Sequence, residues 1–106
     1  MRLQLLSDLH LEAHPRLQIG PVPGADLLVL AGDIGSYQPG SRLEEPDFGL
    51  GRFSPRNGWP NRVLYVPGNH EYDGSDFDDV HHRLREACDA LDILWLERES
   101  CVIDGI

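Results

Sequence analysis

The sequence predicts an α/β fold with a largely parallel sheet, on three observations. Short apolar runs recur along the 106 residues with long crossovers between them. After Ser75 the apolar spacing changes to steps of three and four. Three of the apolar runs end in polar clusters, and open parallel sheets gather their ligands at the carboxyl ends of strands.

The first strand is Leu3 to Leu6, closed by Ser7-Asp8. Leu27 to Ala31 is the second, a continuous apolar run of the kind buried on both faces of a sheet. Val63 to Val66 is the third and stops at Pro67-Gly68. From Ser75 onward, Phe77, Val80, Leu84, Ala87, Cys88 and Leu91 share one face of an amphipathic helix. Ser75 with Asp78 makes an acidic capping box, and Asp76 and Asp79 suit the positive end of the helix dipole. The strings ILWLE, from Ile93, and SCVIDGI, from Ser100, read as two further short strands. Between the second and third strands, Ile34 to Asn61 is rich in Gly and Pro and shows no period. Segments of that length are either functional or poorly ordered. A sheet buried on both faces needs two covers, and one helix with one long loop falls short of that.

Composition narrows the partners. Hydrophobic residues make up 41% and charged residues 25%, as in one small soluble domain. No apolar run is long enough to cross a bilayer, and the opening MRLQLLSDLH, broken by Asp8, has no cleavage signal. A cytoplasmic protein with no membrane partner is expected. Two cysteines, Cys88 and Cys101, are too few for a disulfide framework or a cysteine zinc site. Cys88 falls on the apolar helix face, as core, and Cys101 in a strand. Net charge is −9, with 18 acidic residues against 9 arginines and no lysine, which disfavours a nucleic acid partner. It leaves phosphate substrates open, because metal ions held by carboxylates bind phosphate.

The strand ends hold the chemistry. The first ends in Asp8 and His10 (SDLH), the second in Gly32-Asp33 (AGDIG), the third in Asn69-His70-Glu71 (PGNHE). Carboxylates and an amide oxygen suit hard cations, and imidazole suits manganese, iron or zinc. Taken singly, D-x-H and Gly-Asp are ordinary turn and cap chemistry. Their conjunction at three successive strand ends points to a metal site. No G-x-G-x-x-G or P-loop follows a strand, which sets aside a nucleotide-binding module. His14, before Pro15, is expected at the rim of the site, in reach of substrate. His81 and His82 are expected on a solvated helix face. Trp95 reads as core and Trp59 as exposed, and Arg42, Arg52, Arg56 and Arg62 as loop arginines, solvated or in reach of a phosphate.

These residues resemble the calcineurin-like metallophosphoesterases. The family's motifs D-x-H, G-D and G-N-H-[ED] stand here as Asp8-Leu9-His10, Gly32-Asp33 and Gly68-Asn69-His70-Glu71, and DLLVLAGDI and VPGNHE are also typical of it. The resemblance runs from Met1 to about Tyr72 and more loosely to Ile106. It implies the N-terminal half of a four-layer α/β/β/α metallophosphoesterase sandwich, its mostly parallel sheet flanked by a helix. It also implies a phosphoester substrate and two divalent metal ions, of manganese, iron or zinc. Asp8 and His10 hold one ion, Asp33 bridges, and Asn69 binds the second. A hydroxide between the ions, its pKa lowered by them, attacks phosphorus in line. His70 is the catalytic residue, contacting the phosphate and supporting the leaving oxygen. Glu71 orients the ligands rather than joining them.

The sequence departs from the family in two ways. The family continues with a lone His and a G-H-x-H motif, both supplying ligands, and no histidine follows His82 here. One ion keeps Asp8, His10 and Asp33, while the other keeps Asp33 and Asn69. The family also has a helix where this chain has its Gly/Pro-rich stretch. Residues 1–106 are therefore expected to be a single partial domain without the C-terminal half. Two functions follow as expectations: metal-dependent hydrolysis of a phosphomonoester or phosphodiester, or a truncated, inactive half-domain that binds metal.

Overall fold

Four strands lie side by side in chain order and all run parallel: β1 (Leu3–Leu6), β2 (Leu27–Ala31), β3 (Arg62–Val66) and β4 (Leu94–Trp95). The structure, a computed structural model, describes residues 2–37, 40–68, 70–72 and 77–96. Helix α1 (Phe77–Ala90) crosses from β3 to β4. The strand SCVIDGI, Cys101, and the Ser75 and Asp76 of the capping box lie outside the described residues. ILWLE contributes a strand of two residues, Leu94–Trp95.

Register decides which side chains share a face. Leu28 pairs with Val63, and Leu30 with Tyr65, so one side of the sheet presents these four together. Against them α1 buries Val80, Leu84 and Cys88, as its three- and four-residue spacing predicts. Burial pushes the Cys88 thiol up to about 12, so it packs as an inert apolar group.

The long segment between β2 and β3 is core. Ile34, Leu43, Phe48, Leu50, Phe53 and Trp59 are all buried in the same cluster as the helix residues. Two 3-10 helices, Leu50–Phe53 and Pro55–Asn57, shape it. Ser54 caps the second, accepting from the Arg56 N–H (3.1 Å) while its hydroxyl donates to the Leu91 carbonyl (2.6 Å). The segment's described residues are therefore packed rather than poorly ordered. Its apolar residues are spaced to suit 3-10 helices and turns, which leave no regular period in the sequence. Trp59, expected to be exposed, sits edge-on to Phe53 with ring centroids 5.5 Å apart.

Helix and long segment cover the same face, while on the other Leu27 and Leu64 form a small buried cluster with Val29 and Leu96 against it. Leu3, Leu5 and Leu94 stand 60%, 65% and 42% exposed there, beside Leu27, Val29 and Leu64. Trp95 is half-buried and packs on the covered side, 6.0 Å from Tyr65. His81 corrects another expectation: instead of facing solvent it stands edge-on to Trp95 at 5.1 Å and stacks with Phe77 at 5.6 Å. His82 does face solvent, 2.7 Å from Glu86 one helical turn on.

Candidate metal centre

The chain leaving β1 runs beside the chain leaving β2. The N–H groups of Asp8, His10 and Leu11 donate to the carbonyls of Gly32 (3.1 Å), Asp33 (3.0 Å) and Ile34 (2.8 Å). Asp8, His10 and Asp33 all adopt left-handed backbone, with φ of 55°, 48° and 54°. Each such residue costs on the order of 1–3 kcal/mol, and Asp and His tolerate the region better than most. What the strain achieves is convergence. One donor atom from each of the three side chains lies within 4.8 Å of the others. Asp8 is exposed, and His10 and Asp33 are half-buried.

The end of β3 closes against the same point. A Cβ on Gly32, itself at φ 82°, would lie 2.9 Å from the Gly68 Cα, and one on Gly68 would lie 2.4 Å from Asp33 Oδ1. Only glycine at both positions lets the two backbones approach so closely. Gly68 thus touches Asp33, and Asn69 follows it in the chain. Asn69 itself and the side chain of His70 lie outside the described residues. Two carboxylates and an imidazole are a donor set that fits manganese, iron or zinc.

His70–Tyr72 forms a 3-10 turn that folds Glu71 back under β3. Glu71 is 1% exposed, and its Oε2 accepts from the Tyr65 hydroxyl (2.9 Å) and the Gly68 N–H. Burial raises its pKa to about 7, with the charge of Asp33 adding to the effect and the two hydrogen bonds opposing it. An unfolded chain releases this proton near 4.5, so between 4.5 and 7 the unfolded state binds fewer protons than the folded one. Stability of the metal-free protein is therefore expected to fall as pH rises through that window, by about 3 kcal/mol from this group. Urea unfolding at pH 4.5 and pH 8 measures it. Glu71→Gln keeps an acceptor oxygen and should flatten the difference, and an equally steep dependence in that variant would contradict the assignment.

A cleft of about 1140 Å³ opens beside Asp8, lined also by His14, Arg16, Arg42 and Glu44. His14 is thus at the rim, as its position before Pro15 suggests. Arg42 donates to the Ala13 carbonyl (3.2 Å), which pins the far wall to the β1 end. Arg52 is engaged elsewhere, with Glu45 (2.6 and 2.8 Å) and the carbonyls of Pro15 and Leu17. Arg56 is solvated, and Arg62 opens β3 at the end of the strand remote from the centre.

Two features of the centre escape sequence reasoning. The left-handed backbone at three ligand-type residues is one. Glu12 is the other: it is buried, and its Oε2 lies 3.5 Å from His10 Nδ1 while His10 Nε2 lies 3.8 Å from Asp8 Oδ1. Its signal was present in the string DLHLE, where it stands two residues after His10.

Among known protein families, calcineurin-like phosphoesterase matches residues 1–102. No curated protein and no solved structure matches the chain.

Proposed function

The chain belongs to the calcineurin-like phosphoesterase family, and on that premise we propose that it serves metal-dependent hydrolysis of a phosphomonoester or phosphodiester. The observation that carries the reading is the convergence of Asp8, His10 and Asp33. Asp8 and His10 would hold one divalent cation, Asp33 would face that ion and a second, and Asn69, next to Gly68, would serve the second. Bound cations would supply an activated water and neutralise charge on the phosphoryl oxygens. His70, one residue further on, would meet the phosphate and protonate or stabilise the leaving oxygen. Glu71 would keep the turn that carries both residues fixed against β3. The cleft beside Asp8 would admit the substrate, with His14 at its rim.

Manganese, iron and zinc all suit this donor set, and residues 1–106 would form the N-terminal part of the domain. The exposed Leu3, Leu5 and Leu94 on one face of the sheet support that, since a second sheet of the same domain would cover them. No helix among the described residues is long and apolar enough to cross a membrane, and the buried free thiol of Cys88 suits a cytoplasmic setting.

The test is divalent metal binding by calorimetry, joined to hydrolysis of aryl phosphate mono- and diesters with added manganese. Saturable binding with chelator-sensitive turnover is expected. Binding without turnover would place the chain with the inactive half-domains, and no binding of manganese, iron or zinc would overturn the metal reading.

A further inference from the structure

We infer that Glu12 is a positioning residue that orients His10 for metal binding. The inference rests on the proposed metal centre, and it concerns a residue outside the family motifs quoted above.

Glu12 is 3% exposed, and among the described residues neither of its carboxylate oxygens has a hydrogen-bond partner at ordinary distance. A buried carboxylate in that condition costs several kcal/mol unless something offsets it. What faces it is His10. The Nδ1 atom lies 3.5 Å from Glu12 Oε2, a few tenths of an ångström beyond a normal hydrogen bond. The opposite ring nitrogen, Nε2, lies toward Asp8 Oδ1 at 3.8 Å, on the side where Asp8, His10 and Asp33 converge. The imidazole is therefore set between the Glu12 carboxylate at its back and the Asp8 carboxylate at its front.

An imidazole binds a cation through a nitrogen lone pair. With Nδ1–H directed at Glu12, the lone pair is left on Nε2, facing the centre. Without an acceptor at Nδ1, the Nε2–H tautomer competes and the ring can turn. The backbone holds Glu12 in place for this. Its carbonyl accepts from the Arg42 N–H (2.8 Å), and His10 begins a turn in which its carbonyl accepts from Ala13 and His14 N–H (2.9 Å each). Glu12 thus belongs to a hydrogen-bonded turn joined to the long segment, which fixes the backbone from which its carboxylate reaches His10.

The test uses the full chain with three readouts: circular dichroism for fold, manganese and zinc affinity by calorimetry, and the His10 tautomer from long-range ¹H–¹⁵N spectra near pH 8. The His10 resonances are assigned with His10→Ala. Glu12→Met fills the space and offers no acceptor, while Glu12→Gln retains an oxygen. The wild-type ring is expected as the Nδ1–H tautomer. Glu12→Met should shift it toward Nε2–H and weaken metal binding about 10–100-fold, with Glu12→Gln recovering most of the loss. A Glu12→Met protein with unchanged tautomer and affinity within about twofold of wild type overturns the inference. Should that variant unfold, the wild-type spectrum decides, because a predominant Nε2–H form in the metal-free protein overturns it equally. Absence of metal binding in the wild type would strike the proposed function, and the tautomer would still report on Glu12.

Discussion

Asp33→Asn is expected to lower divalent metal affinity by more than the roughly 10–100-fold that follows loss of an outer partner, and to remove metal-dependent hydrolysis with it. The reason is position. Asp33 lies beside Asp8 and His10 on one side, and its Oδ1 lies over Gly68 on the other. It is the described carboxylate that meets both the β1 end and the β3 end. Asparagine removes the negative charge and replaces one oxygen with an NH2 donor, so one side would lose its ligand oxygen and the other would keep only a neutral one. The fold should survive, because asparagine is among the few residues at ease in the left-handed region that Asp33 occupies at φ 54°. Calorimetry with manganese, alongside thermal unfolding, separates the two effects. Unchanged metal affinity in a folded Asp33→Asn protein would sink the site as assigned. The loss of charge beside Glu71 should also lower that group's pKa, since Asp33 contributes to raising it.

Leu50→Ala is expected to destabilise the protein by about 2–5 kcal/mol, the range for truncating a fully buried leucine. Leu50 is 0% exposed and belongs to the same cluster as Leu84 of α1. Leu84→Ala should therefore cost a similar amount, although one residue lies in a helix and the other in a segment with no sequence period. Leu5→Ala provides the contrast. At 65% exposed, Leu5 should change stability by about 0.5 kcal/mol or less. Urea unfolding of the three variants checks the ranking. A loss under about 1 kcal/mol for Leu50→Ala would mean that the long segment is a peripheral loop after all.

The sheet was legible because burial leaves a periodic trace. Leu27–Ala31 and Val63–Val66 are central, and a central parallel strand must be apolar along its whole length. Helix α1 was legible for the same reason, through the spacing of Val80, Leu84 and Cys88. The long segment was not, because 3-10 helices and turns bury Phe48, Leu50 and Trp59 without a repeating pattern. His81 was misjudged because Trp95, which it meets edge-on, comes from β4, a proximity that sequence spacing alone does not display.

By itself the sequence determined that this chain is an α/β domain of the calcineurin-like phosphoesterase family, and which strand ends bear its candidate donor residues. Motifs and apolar runs are local, and local patterns survive in one dimension. Only the tertiary structure decided that Asp8, His10 and Asp33 converge through left-handed backbone, that Gly32 and Gly68 bring the β3 end against them, and that Glu12 stands behind His10. The approaches among the three strand ends are distances between segments tens of residues apart, and the placing of Glu12 behind His10 is a matter of local backbone conformation. They are set by strand register and backbone dihedrals, which residue identity constrains but does not spell out.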